Sequence, residues 1–278
     1  MNQPEYSLQG VWECLCVLRT RVPLVHNVTN LVVMEVTANA LLALGASPVM
    51  AHEEGEMEEI TSLASALVLN IGTLSKAWIR SMHKALETAL ARKLPVVIDP
   101  VGAGASRLRT STALAFLEKS GGGALLRGNA SEILSLAGQS GSTKGVDSTV
   151  SSEAAVDAAR SLALHFGCAV NVSGETDIVT DGHSLCFIHG GSALMPRVTG
   201  MGCSASALGG AFAGICGEGK GMQALVAAMS VMAAAGTAAA RKAGGPGTFL
   251  PLFLDSLYTM DMPMLEAGAV ISGSCDHI

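Results

Sequence analysis

The chain has 278 residues; 49% are hydrophobic, 4% are aromatic, and the formal net charge is −6. A chain this apolar can bury enough surface to offset the entropy of ordering its backbone, which excludes an intrinsically disordered protein. Because nucleic-acid binding needs a cationic surface, and this chain is acidic with no basic run, a nucleic-acid partner is disfavoured.

Short β-rich runs alternate with longer helical runs along the chain. The strand candidates are mostly continuous apolar runs, typical of strands covered on both faces: 47–51, 66–72, 95–101, 124–128, 169–174, 177–180 and 185–189. The helix candidates are 30–44, 54–65, 74–92, 110–119, 130–136, 152–166, 203–216, 222–242 and 246–258. Ser75, Thr110 and the segment Ser151-Ser152-Glu153 indicate where three of these helices begin.

This order of elements predicts an α/β fold with a central, mostly parallel sheet and helices on both faces. Asp181-Gly182 indicates a hairpin late in the chain. The polar loop at 138–145 is too short for an interdomain linker, so residues 1–278 are predicted to form a single domain.

The cysteines and the longest apolar run indicate in which cellular compartment the protein is expected. The seven cysteines are irregularly spaced with no C-x-x-C, which is typical of reduced thiols in a cytoplasmic protein rather than structural zinc. The first ten residues are polar, so no signal peptide is expected. The twenty uncharged residues between Lys220 and Arg241 could span a bilayer, but their alanine, glycine and polar content favours a buried helix, and we expect no membrane partner.

Polar residues follow three of the predicted strands, where parallel sheets bind ligands. Asp99 follows the apolar run 95–98, Asn129 and Glu132 follow the next strand and open a helix, and Ser173 follows the apolar run 169–172. Asp99, Asn129 and Glu132 could surround a hydrated Mg²⁺, which usually takes one or two carboxylates plus phosphate oxygens. The alternative is that Asn129 caps its helix with Glu132 as a capping-box partner, and both roles can hold at once.

A glycine turn, Val198-Thr-Gly-Met-Gly-Cys203, precedes a predicted helix. Its glycines permit close backbone approach, and a helix N-terminus presents free N–H groups, so the turn is a candidate anion site. The alternative is a tight turn into a helix with no ligand. Near the N-terminus, Asn30 is predicted to cap a helix, and His26 is interpreted as a structural histidine.

Taken together, these segments resemble the hydroxyethylthiazole kinase family. The matching stretches are PLVHNVTN at 23–30, NALLALGASPVM at 39–50, LNIGTL at 69–74, DPVGAG at 99–104, RGNASE at 127–132 and VTGMGC at 198–203. The resemblance implies a ribokinase-like fold and a homotrimer with active sites at subunit interfaces. It also implies MgATP-dependent phosphorylation of the hydroxyl of 4-methyl-5-(2-hydroxyethyl)thiazole, a reaction of thiamin biosynthesis and salvage.

The resemblance implies roles for eight positions, which we carry over one by one. Met50 and Gly200 would contact the thiazole with Asn30 nearby, Arg127 and Ser173 would bind ATP, Asp99 and Glu132 would organise Mg²⁺ and phosphates, and Cys203 stands where related sugar kinases carry an aspartate base. A thiol of ordinary pKa, about 8.5, is an indifferent base at neutral pH. The family often has threonine where this chain has Ser173, and the hydroxyl is retained.

Two other functions remain open. One is a kinase of the same fold acting on another small alcohol, such as a hydroxymethylpyrimidine or a sugar; the apolar residues 32–34 and 49–50 favour a flat heteroaromatic ring instead. The other is a non-catalytic nucleotide sensor that has lost its base, against which Asp99, Arg127 and Glu132 argue.

Overall fold

The computed structural model describes residues 6–138 and 152–273, whose strands form a single nine-stranded sheet. The strands are β1 (Leu24–Val28), β2 (Ser47–Val49), β3 (Ala66–Asn70), β4 (Val96–Asp99), β5 (Ala124–Asn129), β6 (Ala169–Ser173), β7 (Thr176–Thr180), β8 (Leu185–Gly190) and β9 (Ala269–Ser272). The helices are α1 (Leu8–Arg21), α2 (Met34–Leu44), α3 (Met57–Leu63), α4 (Lys76–Ala91), α5 (Arg107–Ser120), α6 (Ala130–Leu136), α7 (Ser152–Phe166), α8 (Met201–Cys216), α9 (Gly221–Ala240), α10 (Pro246–Tyr258) and α11 (Met262–Gly268).

The sheet runs in the order β2-β1-β3-β4-β5-β6-β7-β8-β9. Its first six members pair in parallel, and β7, β8 and β9 continue it in antiparallel pairs. The parallel strands therefore bring their carboxyl ends to one edge. The α/β prediction with a mostly parallel sheet is confirmed, as is the hairpin at Asp181-Gly182, which joins β7 to β8.

Two hydrophobic cores lie on the two faces of the sheet. Successive strand residues alternate between them: Val97 packs in the core that contains α1, α2 and α8 to α11, whereas Val96 and Ile98 pack in the core that contains α3 to α7. This alternation on both faces explains the continuous apolar runs in the sequence, because nearly every position of β3, β4, β5 and β6 is buried.

The helix α9 is the apolar run between Lys220 and Arg241. Among the described residues it is the one helix long and apolar enough to cross a membrane, and most of it is buried inside the protein. It packs against α8, α10 and α11, as the expected close-packed core helix does.

Two predicted helix starts are wrong. Asn30 does not cap α2, because its Oδ1 accepts a hydrogen bond from the Val32 N–H (3.1 Å) in a turn that delays the helix until Met34. Thr110 lies inside α5, whose N-cap is Ser106. Ser75 caps α4 as predicted, whereas Ser151 and nearly all of the loop 138–145 lie outside the described residues.

Candidate functional site

The carboxyl edge of the parallel strands carries most of the predicted site residues. Asp99 ends β4, Ser173 ends β6, and Met50 and Asn30 follow the neighbouring strands β2 and β1. Adjacent strands are in register here, since Asn70 pairs with Asp99. Asn129 likewise pairs with Ser173, so the prediction that the polar residues at the ends of β4, β5 and β6 share one edge is confirmed.

Asp99 lies at the centre of this edge and is 1% exposed. Its Oδ2 accepts hydrogen bonds from Asn70 Nδ2 (2.6 Å) and Ser206 Oγ (2.8 Å). Burial raises the pKa of the Asp99 carboxyl to about 6; the Arg127 guanidinium opposes that rise and the Glu132 carboxylate adds to it. Asp99 thus lies within electrostatic range of a second carboxylate and of one guanidinium.

Glu132 has both carboxylate oxygens engaged by backbone donors. Oε2 accepts from the Asn129 N–H (2.8 Å), and Asn129 Oδ1 accepts from the Glu132 N–H (2.9 Å), so the predicted capping box is present. Oε1 accepts from the N–H of Gly102 (2.8 Å), which anchors the loop after β4. The carboxylate is thereby held in a fixed orientation beside Asp99.

Asp99 and Glu132 could supply the protein ligands of a Mg²⁺ ion whose other ligands come from water and phosphate. In the described residues, no three His, Cys, Asp or Glu side chains are grouped to hold a metal ion. Mg²⁺ usually takes one or two protein carboxylates and completes its shell with water and phosphate oxygens. Asp99 and Glu132 match that donor set, so the residues present fit a metal that arrives with its nucleotide.

Arg127 extends from β5 under the start of α8. A Cβ at position 202 would lie 2.7 Å from Arg127 Nη1, so only glycine leaves room for the guanidinium here. The side chain is 9% exposed and its buried Nε has no hydrogen-bond acceptor among the described residues. Burial raises the pKa of the Asp177 carboxyl to about 6, an effect that the Arg127 charge opposes.

The glycine turn forms the start of α8, which begins at Met201, two residues before the predicted start. Gly200 is the N-cap at φ +91°, a left-handed conformation that favours glycine. The first amide groups of the helix therefore lack intrahelical acceptors and carry the positive end of its dipole. This geometry is that of an anion site at the end of the sheet.

Cys203 lies in the first turn of α8. Its Sγ accepts a hydrogen bond from Asn30 Nδ2 at 3.5 Å, which joins two residues that the resemblance assigned to the reaction. Burial raises the pKa of the Cys203 thiol to about 11, and the Asp99 carboxylate adds to that rise. The thiol is therefore protonated at neutral pH.

The remaining predicted residues are less tightly joined. Ser173 Oγ donates to the Gly128 carbonyl (3.3 Å), beside Asn129 across the β5–β6 pair. Met50 is half-buried just after β2, and its carbonyl lies 3.4 Å from His52 Nδ1. Among the described residues, neither Ser173 nor Met50 makes a side-chain hydrogen bond to Asp99.

Three polar residues at the site were missed from the sequence. Asn70 and Ser206 hold Asp99, and Arg109 donates to the carbonyls of Ile71 (3.0 Å), Val101 (2.6 Å) and Gly72 (2.7 Å), which ties the loops after β3 and β4 together. Ser206 stands three residues after Cys203, a helical spacing that places both on one face. Asn70 ends an apolar strand as Asp99 does, so its position at a strand end could have identified it from the sequence.

His26 is structural, as interpreted. It is fully buried in β1, with Nε2 3.1 Å from the Ala51 carbonyl and Nδ1 2.9 Å from Thr61 Oγ1. Because a carbonyl only accepts, Nε2 carries the proton and Nδ1 accepts from the threonine. Burial lowers the pKa of His26, which keeps the ring neutral.

Comparison with known proteins gives consistent relatives over nearly the whole chain. The model of the hydroxyethylthiazole kinase family matches residues 15–262. The chain is 56% identical over 261 residues to the hydroxyethylthiazole kinase of Oleidesulfovibrio alaskensis, covering 94% of this chain and 97% of that protein. It is 53% identical over 257 residues to that of Nitratidesulfovibrio vulgaris, covering 92% and 95%.

Solved structures agree in fold. A hydroxyethylthiazole kinase protein from Pyrococcus horikoshii OT3 superposes with a TM-score of 0.88 at 41% identity, covering 96% of this chain and 99% of that one. The pyridoxal kinase of Staphylococcus aureus, in complex with AMP-PCP and pyridoxal, has a TM-score of 0.64 at 14% identity over 91% of this chain and 100% of its own, which shows a shared ribokinase-like fold. From the matched residues and these identities, the chain belongs to the hydroxyethylthiazole kinase family.

Proposed function

We propose that this chain transfers the γ-phosphoryl group of ATP to the hydroxyl of 4-methyl-5-(2-hydroxyethyl)thiazole, a step in thiamin biosynthesis and salvage. The observation that carries the proposal is the meeting of Asp99, Arg127 and the N-terminus of α8 at one edge of the sheet, in a chain whose relatives are named for this reaction. The edge gathers an acidic group, a guanidinium and free backbone donors, which phosphoryl transfer requires.

Each group then has a stated part in the transfer. The first N–H groups of α8, freed by the turn at Gly200, would hold oxygens of the transferred phosphoryl group, and Arg127 would offset their charge. Asp99 and Glu132 would hold Mg²⁺, which when bound neutralises phosphate charge. The alcohol oxygen attacks phosphorus, the bond to the β-phosphate oxygen breaks, ADP leaves, and the proton of the hydroxyl is released to water.

The alcohol is proposed to lie between Asn30, Met50 and Gly200. Asn30 contacts Cys203, so an alcohol held there would reach the start of α8. A buried thiol with pKa about 11 holds its proton at neutral pH, so Cys203 contributes position and shape rather than basicity. Ser173 is proposed to bind ATP from the end of β6, where its hydroxyl is half-buried.

We further propose a homotrimer in which the subunit interface closes this site. Leu31 and Val32 follow Asn30 directly and are 64% and 67% exposed. Large apolar side chains so exposed beside a ligand edge are typical of an interface surface. Light scattering after gel filtration tests the stoichiometry, and a monomer of 28.3 kDa would contradict it. A cytoplasmic location and a single domain over 1–278 complete the proposal.

A parallel assay tests the reaction. ADP release from MgATP would be measured with the thiazole alcohol, a hydroxymethylpyrimidine and ribose as acceptors. The proposal expects release dependent on the thiazole alcohol, with the other acceptors at least tenfold lower in kcat/KM. Equal or greater turnover with the pyrimidine or ribose would favour the other kinase, and ATP binding without any turnover would favour the sensor.

A further inference from the structure

We propose that Asn70 is a positioning residue that sets the alcohol side of the site at a fixed distance from its phosphate side. The inference rests on the roles proposed above for Asn30 and Asp99. Asn70 ends β3, between the strands that lead to these two residues, and is 1% exposed.

The Asn70 amide joins both sides of the site directly. Its Nδ2 donates to Asp99 Oδ2 at 2.6 Å, and its Oδ1 accepts from Asn30 Nδ2 at 2.8 Å. The same Oδ1 accepts from the backbone N–H of Gly72 at 3.0 Å. Two donors converging on Oδ1 fix the orientation of the amide, so that its own donor must face the Asp99 carboxylate.

These contacts close a ring that begins and ends in α8. From Cys203 the ring passes to Asn30 (3.5 Å), to Asn70, to Asp99, and back to α8 through Ser206 (2.8 Å), three residues beyond its starting point. The anion-binding end of α8 is thereby held relative to the sheet edge at two points. Asn70 is the link in the middle, where the alcohol half meets the phosphate half.

Only an amide of this length satisfies the ring. An aspartate would place acceptors against the Asp99 carboxylate, and a leucine of similar shape would leave the donors of Asn30 and Gly72 without an acceptor. A side chain that only packed in the core would not need this chemistry. The hydrogen-bonding pattern therefore points to a role in geometry rather than in stability alone.

The test separates the two halves of the ring by kinetics. Asn30→Ala should raise the KM of the thiazole alcohol at least fivefold with little change in the Mg²⁺ concentration for half-maximal rate. Ser206→Ala, which removes one donor from Asp99, should raise that Mg²⁺ concentration and leave the alcohol KM near wild type. Asn70→Ala should raise both parameters together and lower kcat/KM at least tenfold.

A double variant and a matched control complete the test. Adding Asn30→Ala to Asn70→Ala should cost less than a further twofold in alcohol KM, because residues in one network are not additive. Asn27→Ala removes another fully buried asparagine, whose Nδ2 donates only to the Val25 carbonyl (3.2 Å), and should leave both parameters within twofold. If Asn70→Ala fails to fold, Asn70→Ser supplies the same measurement, since a hydroxyl cannot span both partners.

The outcomes distinguish two failures. If Asn30→Ala and Ser206→Ala leave both parameters unchanged, the proposed roles of Asn30 and Asp99 are wrong, and the inference falls with them. If those two variants behave as expected while Asn70→Ala or Asn70→Ser changes only the melting temperature, the positioning role of Asn70 alone is overturned.

Discussion

Replacing Gly200 with alanine should damage both the stability of the protein and its phosphate site. Gly200 has φ +91°, and a Cβ built there lies 2.5 Å from Val36 Cγ1 and 3.3 Å from Val33 Cγ1. Both valines lie at the start of α2, so the added methyl group would push α8 and α2 apart at the point where the anion site forms.

The expected magnitude has two parts. Holding a non-glycine residue in the left-handed region costs roughly 1–2 kcal/mol. Forcing one methyl group into occupied space costs about 1–3 kcal/mol, because neighbouring side chains must leave their preferred rotamers. We therefore expect Gly200→Ala to lose about 2–5 kcal/mol of unfolding free energy, and at least tenfold in kcat/KM for MgATP, which corresponds to about 1.4 kcal/mol in the transition state.

Urea unfolding and steady-state ADP release would be measured on four variants. Val36→Ala removes the nearest clashing atom, so the double variant Gly200→Ala/Val36→Ala should recover the packing part and keep only the backbone strain. Gly121→Ala is the matched control, because Gly121 caps α5 at φ +56° with no atom within 4 Å of a built Cβ. It should show backbone strain alone and unchanged kcat/KM.

Two results would refute this reasoning. The first is a Gly200→Ala protein with wild-type unfolding midpoint and kcat/KM within twofold of wild type. The second is a stability loss that Val36→Ala does not relieve, which would show that the contact with α2 is not the cause.

Three further variants test the electrostatics of the site and core. Cys203→Ala should keep kcat within tenfold of wild type, because burial raises the pKa of the thiol to about 11 and it is no base at neutral pH; total loss with ATP binding intact would contradict this. Asp99→Asn should stabilise the metal-free protein at pH 7.5 by up to about 3 kcal/mol in urea unfolding while abolishing turnover. Burial raises the pKa of this carboxyl to about 6, so its ionisation opposes folding increasingly between about pH 4 and pH 6 and fully above that range. Between pH 7 and pH 5, the free energy of unfolding should fall less in His26→Gln than in the wild type. Burial lowers the pKa of His26 in the folded protein, so as the pH falls the histidine of the unfolded chain is protonated at a higher pH than that of the folded protein, which favours unfolding.

The effects of Asp99→Asn and His26→Gln on stability change in opposite directions as the pH falls, so each variant serves as a control for the other. A stability gain in Asp99→Asn must shrink as the pH falls towards 4, where the wild-type carboxyl is protonated. The contribution from His26 must instead grow over the same range. Parallel curves for wild type and either variant would show that the group does not titrate as the structure indicates.

Most of the parallel sheet could be predicted from sequence, because strands buried on both faces are apolar at every position. The missed strand was β1, whose sequence Leu-Val-His-Asn-Val includes two polar residues. Those residues are fully buried, and the ring nitrogens of His26 find their hydrogen-bond partners at Thr61 and Ala51, which lie 35 and 25 residues away in the chain. No local pattern reveals such a tertiary contact.

The terminal elements were missed for different reasons. The helix α1 does carry a start signal, since Ser7 accepts from the Gly10 N–H (3.2 Å), and its apolar spacing at Val11, Leu15 and Leu18 faces the core. The strand β9 pairs with β8, more than seventy residues earlier in the chain, and is only four residues long. A strand so short is defined by its partner rather than by its own sequence.

The candidate site was identified from the sequence through its strand ends and its glycine turn, whereas the links between them appeared only in the structure. The energetic pattern explains why these links matter. Asp99 is an acidic group buried beside another acidic group, and within the described residues Arg127 Nε, Asn171 Oδ1 and Ser204 Oγ are buried without hydrogen-bond partners. Such groups normally find partners, and those near α8 lie where a phosphate-bearing ligand is proposed to bind. A fold tolerates these costs at a site where the substrate complex, rather than the free protein, completes the hydrogen bonds.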